Sequence, residues 1–352
     1  MGGLAIRRSA ARLATLALAA GAWGLLQLPA SASSGRSTES STRVTVAFAG
    51  DIALLGPAPR SLFAGVRGPL RRADVAIGNL EGTLSSGGTS KCPEKSTSCF
   101  AFQSPPQSAA VLRGAGFDDL NVANNHAFDY GASGEQQTLR ALARYRLRWS
   151  GLPSQITVLD AHGVRVAVLG FAPYPWAQSL LDIPAAQGLV RRATARADLV
   201  VAVLHAGAEG VAHQHVPHGT EYYLGENRGN ERRFAHALVA AGANLVLASG
   251  PHVLRGMQLF HDTAVAYSLG NFATSGHALS TDDILGTGAI LLVTLDADGA
   301  TLSGRLLPVR MVNGAPRRIY GSSEVVRRVN ALSRADFGAS ALLVGKGALR
   351  LG

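Results

Sequence analysis

Five short apolar runs each end in a side chain able to ligate a metal. Residues 44–50 lead into Asp51, and residues 74–79 lead through Leu80 into Glu81. Residues 117–123 lead into Asn124, Asn125 and His126. Residues 198–204 lead into His205, and residues 244–249 into Gly250-Pro251-His252. Runs of this length without polar alternation are strands covered on both faces. Helical patterns over 104–116, 134–148, 188–197 and 231–241 stand between them. Strands alternating with helices predict an α/β fold, in which reactive side chains gather at the carboxyl ends of the strands. One polar strand terminus is ordinary turn chemistry. Five at equivalent positions predict a single shared site.

The densest of these ends is the stretch 121–131, where Asn124, Asn125, His126 and Asp129 crowd between an apolar lead-in and the start of a helix at Gly131. A neutral amide beside an imidazole can bind a divalent cation and act next to it. Taken together, carboxylate, amide and imidazole donors suit Mn, Fe or Zn, one or two ions, rather than Ca, which prefers all-oxygen sites. The segment 213–221 carries His213, His215 and His218 close behind Glu209, and half of the ten His lie between 205 and 236. That cluster is either an added ligand or substrate contact, or a polar surface loop. Asn227-Arg228-Gly229-Asn230 and Arg255 are candidate anion contacts, since Arg recognises carboxylate or phosphate through two parallel donors.

The first 32 residues have the order of a secretory leader: Arg7, Arg8 and Arg12, an apolar run over 13–28, then Ala30-Ser31-Ala32. The run is short for a membrane span, which needs about 20 apolar residues; an uncleaved anchor is the alternative. Residues 33–43 read as a linker, 44–320 as the domain, and 321–352 as a tail without clear organisation. Export fits the two cysteines, Cys92 and Cys99, whose seven-residue separation favours a disulfide closing a small loop. The formal charge is +10, almost all from Arg, with Lys only at 91, 95 and 346. A basic surface can sit against an anionic envelope polymer or membrane. No basic cluster with interleaved aromatics is present, which argues against nucleic acid.

At these residues the chain resembles the CapA family, linked to capsule and poly-γ-glutamate synthesis, within the calcineurin-like metallophosphoesterases. The matching blocks run in order: Gly50-Asp51; Asn79-Leu80-Glu81; Ala123-Asn124-Asn125-His126 with Asp129-Tyr130-Gly131; His205-x-Gly-x-Glu209; Pro251-His252-Val253; and Tyr267-Ser268-Leu269-Gly270-Asn271-Phe272. The resemblance implies a four-layer α/β/β/α sandwich with a metal site at the strand ends. It implies Asp51 and His252 on one metal, Asn125 and His205 on a second, and Glu81 bridging. His126, with Asp129 in the same block, would stabilise charge or protonate a leaving group. Asn124, Glu209 and Asn271 would be auxiliary or substrate contacts. The implied activity is hydrolysis of a phosphorylated or polyanionic envelope substrate, with a membrane-bound polymer synthase as a candidate partner. A non-catalytic polymer-binding or export role is the alternative.

The chain departs from the pattern at two ligand positions. Ala53 stands where the superfamily has the His of its first Asp-x-His, and Gly250 stands where the family has a His before Pro-His. His205-Ala206-Gly207-Ala208-Glu209-Gly210 also lacks the usual Trp and Tyr.

Overall fold

The computed structural model describes residues 43–351 other than 95, 97 and 322. The expected leader, and all of the expected linker except its last residue, lie outside them.

Strand β1 (Arg43–Leu54) leads through the short helix α1 (Arg67–Arg72) into β2 (Val75–Leu80). A loop pinned by β3 (Thr83–Leu84) and β4 (Gln103–Ser104) precedes α2 (Ser108–Ala115), β5 (Asp119–Asn121), α3 (Gly131–Arg144) and β6 (Arg148–Ser150). The chain then builds a second sheet through β7 (Thr157–Ala161), β8 (Val164–Phe171), α4 (Ile183–Thr194) and β9 (Leu199–His205). The hairpin β10 (Glu221–Tyr223) and β11 (Glu226–Gly229), then α5 (Glu231–Ala240), β12 (Leu245–Ser249), β13 (Met257–Phe260) and β14 (Thr263–Ala266) follow. Strands β15 (Asn271–Ser275), β16 (Thr287–Asp296), β17 (Thr301–Val312) and β18 (Ala315–Arg318) return to the first sheet. Helix α6 (Ser323–Phe337) and the hairpin β19 (Leu343–Gly345) and β20 (Ala348–Arg350) complete the chain.

The first sheet runs β19-β20-β17-β16-β1-β2-β5-β6, and the second β13-β14-β12-β9-β8-β7. Alternation along the strands builds the layers. Val44, Val46 and Phe48 of β1 point into a core shared with Val166 and Val168 of β8, Val201 and Val203 of β9, and Leu245 and Leu247 of β12. Ala47 and Ala49, in the same strand, face Leu70 of α1, Leu112 of α2 and Leu142 of α3 instead. Ala167 and Leu169 of β8 face Leu189 of α4 and Phe234 of α5. The result is helix, sheet, sheet, helix: the four-layer α/β/β/α sandwich expected.

Local chemistry sets the helix ends. Asp182 caps α4, accepting from the Ala185 amide, and Pro184 occupies the first turn, so α4 spans 183–194 rather than the expected 188–197. Asn230 caps α5 in the same way, accepting from Arg233. The region beyond 320 is organised. Val325 and Val329 of α6 join the core between the sheets, and β20 pairs with β17. Its sequence carries little signal because the strands are three residues long and the helix borrows its core from elsewhere.

Strand β1 also differs from expectation. It runs past Asp51 to Leu54, because β15 continues the pairing with Ile52 opposite Ala273. The register shifts at Asp51 against both β15 and β2. A shift of this kind re-aims a side chain in mid-strand, as bulges beside functional sites do.

Candidate metal centre

The carboxyl ends of β2, β9 and β12, the loop after β5, and the shifted residue of β1 converge. Asp51, Glu81 and His252 each bring one ligand atom to within 4.8 Å of the others. His252 Nδ1 lies 3.2 Å from Asp51 Oδ2, and its Nε2 lies 3.6 Å from both Glu81 Oε1 and Glu209 Oε2. His205 stands on the other side, with Nε2 3.8 Å from Glu81 Oε1 and Nδ1 3.8 Å from Asp51 Oδ1. Asn125 reaches the group through Glu209, donating from Nδ2 to Oε1 at 3.4 Å.

The electrostatics follow from packing several charges away from water. Burial alone would raise Asp51, but its bond with His252 and the nearby His205 hold it down at about 2. Burial drives Glu81 well above the usual carboxylate range. Burial also lowers His205 to about 3, leaving a neutral ring. For His252 burial pulls down, yet Glu81, Asp51 and Glu209 override it and hold the imidazolium up at about 10.

Four buried polar atoms of this group have no hydrogen-bond partner among the described residues: both Glu81 oxygens, His205 Nε2 and Asn125 Oδ1. Buried polar atoms are otherwise almost always satisfied. All four are metal donors by type, so the residues fit a divalent transition cation. Asp51, Glu81 and His252 would hold it; His205 and Asn125 are the donors for a second. The conformation of His252 is itself unusual, with φ of 60° at a non-glycine residue, as functional sites tolerate.

An inner network of amides supports the ligands. Asn79 Nδ2 donates to Asp51 Oδ1 at 2.8 Å and approaches His205 Nδ1 at 3.1 Å. Asn79 Oδ1 accepts from Asn121 and Asn124, which fixes the amide orientation. Asn124 also donates to the Leu80 carbonyl and accepts from the His126 amide, and so shapes the loop. Asn271 Oδ1 sits 2.8 Å from His252 Nδ1, while its Nδ2 holds the Ser280 and Leu285 carbonyls. Metal-binding His residues are oriented by such partners.

His126 lies beside the group. Its Nδ1 is 2.7 Å from Asp129 Oδ2, and its ring stacks on Phe102 with centroids 4.2 Å apart. Burial lowers its pKa, and Asp129 opposes that. A cavity of about 710 Å³ opens over the site, lined by His126, Glu209, His252 and Asn271, with Phe100, Tyr223 and His277 also on its wall.

The His cluster after Glu209 is not part of this group. His215 Nδ1 binds Asp336 of α6 at 2.7 Å. His218 approaches Arg232, and the His213 ring meets Tyr223 edge-on. The segment loops and is held by Arg255, whose Nε donates to the His213 carbonyl at 2.9 Å. Arg255 is therefore no ligand contact: it is buried and committed to Glu221 and Glu231. Arg228 is also buried, with Nη2 on Glu209 Oε1 at 2.7 Å. Gly250 has φ of 116°, and a Cβ there would meet the Ala206 carbonyl oxygen at 2.8 Å. Cys92 and Cys99 form the expected disulfide.

Three contributors carried no sequence signal for the roles they play: Asn79 as the amide hub, Lys91 on Asp129 Oδ1 at 2.6 Å, and Trp176 on the Asn124 carbonyl at 2.9 Å. Asn79 lies within a matched block and was readable only as the end of a strand.

The family described as bacterial capsule synthesis protein PGA_cap matches residues 45–275, and the chain belongs to it. Two relatives are the PGA biosynthesis protein CapA of Bacillus subtilis (strain 168), 28% identical over 271 residues, and the capsule biosynthesis protein CapA of Bacillus anthracis, 26% identical over 285 residues. The matches cover 68% and 75% of this chain, and the chain spans about two thirds of those relatives, 66% and 65% of their length. A 5'-nucleotidase precursor from Thermus thermophilus aligns over 79% of this chain and 56% of its own, with 12% identity and a TM-score of 0.44.

Proposed function

We propose that this PGA_cap family member is an exported, metal-dependent hydrolase acting on a phosphorylated or polyanionic envelope substrate. The observation that carries the reading is the set of four unpartnered buried donor atoms on Glu81, His205 and Asn125, gathered beside an imidazole held by a carboxylate. A bound divalent cation supplies Lewis acidity, lowering the pKa of water and stabilising charge on a phosphoryl or carbonyl oxygen. The chain's own residues do the rest. Asp51, Glu81 and His252 would hold the cation; Asn79 and Asn271 orient Asp51 and His252. Asp129 accepts from His126 Nδ1, which turns Nε2 away from that bond as the atom that moves a proton to the leaving oxygen.

Export is supported by the disulfide and by the leader-like order of residues 1–32; no helix among the described residues is long and apolar enough to cross a membrane. An anionic polymer, with a membrane-bound synthase as partner, suits the positive charge and the names of the relatives. A second reading, a polymer-binding or export accessory without catalysis, draws on Gly250 and Ala53, which supply no ligand at two positions where the family pattern has His.

Metal analysis decides between them. Protein grown with Mn and Zn should retain close to one equivalent or more, and hydrolysis of a phosphodiester should disappear in His126→Ala while the metal stays. Less than about a tenth of an equivalent, with no hydrolysis, sinks the enzyme reading.

A further inference from the structure

We propose that the disulfide-closed loop between Lys91 and Phe102 is the device that positions His126, with Lys91 as a positioning residue. This rests on the hydrolase reading for its consequence, not for its geometry. Both flanks of the loop grip one buried carboxylate. From the entry side, Lys91 Nζ meets Asp129 Oδ1 at 2.6 Å and the Asn125 carbonyl at 3.2 Å, while the Lys91 amide donates to the Asp129 carbonyl at 2.8 Å. From the exit side, the Phe102 amide donates to Asp129 Oδ2 at 2.6 Å, and the Phe102 ring covers the His126 ring. The same Oδ2 meets His126 Nδ1.

Two donors, the Lys91 ammonium and the Phe102 peptide N–H, therefore face Asp129. Oδ1 is ion-paired with Lys91 and Oδ2 accepts from the Phe102 amide, so the proton shared with His126 sits on Nδ1 and the ring presents Nε2. The loop between the grips has no helix or strand among its described residues, and Phe100 stands largely exposed. Cys92 adjoins Lys91 and Cys99 lies three residues before Phe102, so the cross-link ties the two flanks to each other. A bridge across so short a segment restrains local geometry more than the global fold.

In hydrolysis of a phosphate ester, the water oxygen bonds to phosphorus. The bond from phosphorus to the leaving oxygen breaks with its electron pair on that oxygen. Nε2 of His126, which carries no proton in the Nδ1-protonated ring, takes the proton given up by the water and passes it to that oxygen. A leaving alkoxide needs that proton; a leaving p-nitrophenolate does not. A mispositioned His126 therefore slows the first far more than the second.

The test compares Lys91→Met, Lys91→Arg and the double variant Cys92→Ser/Cys99→Ser with the unaltered protein. Glycerol phosphate and p-nitrophenyl phosphate are the substrates, after loading with Mn. Lys91→Met and the double variant should lose roughly 10- to 100-fold in kcat on glycerol phosphate and less than about threefold on p-nitrophenyl phosphate, with KM and metal content unchanged, and Lys91→Arg should recover most of the loss. Nitrogen–proton correlation spectra of the His126 ring in metal-free protein give a readout that needs no activity. The unaltered protein should show the Nδ1-protonated ring, and the two impaired variants a mixture of tautomers. If both keep the original ring pattern, the loop does not position His126. If the ring changes but both esters slow equally, the link to proton donation is wrong. Should the unaltered protein hydrolyse neither ester, the hydrolase reading fails while the ring spectra still decide the positioning. If the double variant does not fold, reduction and alkylation of the folded protein replaces it.

Discussion

Asn79 donates to Asp51 Oδ1 at 2.8 Å while its own carbonyl oxygen is taken by Asn121 and Asn124. The amide thus holds Oδ1, while Oδ2 faces His252 and the Gly250 amide. Asn79→Leu keeps the volume and removes that donor. Divalent-cation affinity should fall about 10- to 100-fold by titration calorimetry. Stability should fall by about 1–3 kcal/mol in urea, because the amides of Asn121 and Asn124 lose an acceptor. Unchanged affinity would show that Asp51 needs no such orientation.

Glu81 is fully buried, and neither of its oxygens has a hydrogen-bond partner among the described residues. Its position costs stability in the metal-free protein, as strained sites generally do. Glu81→Gln removes the ionisable group at constant shape. Metal-free protein should melt a few degrees higher, by about 2–4 °C per kcal/mol for a chain of this size. The rise on adding Mn, seen in the unaltered protein, should vanish. A variant that still gains stability from Mn would remove Glu81 from the ligand set.

The two kinds of residue in these predictions differ in how readable they were. Asp51, Glu81, His126, His205 and His252 were legible because each stands where an apolar run stops, and strand ends in an α/β sheet face one edge. The alternation of strands with helices was legible from period and length, whereas the four layers were expected only from the family resemblance. Asn79, Lys91 and Arg255 were not, because their roles come from long-range contacts that no local pattern encodes. The His213–His218 cluster was left open between a ligand role and a surface loop, because local spacing does not encode the contacts that segment makes with Asp336 and Arg255.

Asp119 offers a pH signature away from the metal. Burial raises it to about 7 from 3.8, although Ser150 donates to one oxygen at 2.8 Å. A raised carboxyl keeps its proton in the folded state, so its contribution is fully present below 3.8 and is lost as pH rises through about 7. In that window the folded state binds the extra proton, and stability falls with pH by at most about 1.4 kcal/mol per pH unit from this group. Asp119→Asn should flatten the slope there, seen by subtracting urea-unfolding curves of the two proteins. Parallel curves would mean that Asp119 ionises normally.

Arg255 bridges Glu221 and Glu231, and it also holds the Ala208 and His213 carbonyls. Burial lifts Glu231 to about 8 even with Arg255 beside it. Arg255→Met would leave the Glu221 carboxylate, the Glu231 acid and two carbonyls without their donor. Removing one partner from a buried ionic group typically costs about 3–5 kcal/mol. Glu231→Gln, by contrast, should stay within about 1 kcal/mol, since the acid is held largely neutral. Equal losses from both would assign the role to packing rather than to charge.

Gly250 addresses whether the family's missing ligand could simply be restored. Its φ of 116° is strained for any side chain, and a Cβ would lie 2.8 Å from the Ala206 carbonyl oxygen and 3.0 Å from the Ala206 nitrogen. Both are backbone atoms of the segment just after His205, so they cannot move aside without shifting that ligand. The Gly250 amide also faces Asp51 Oδ2 at 3.3 Å. Gly250→His should therefore destabilise the protein by about 1–3 kcal/mol in denaturant and leave the bound-metal stoichiometry where it was, or lower it. A variant of unchanged stability that gains an ion would show that the loop can adopt the family's ligand geometry, and that the site lacks only a side chain.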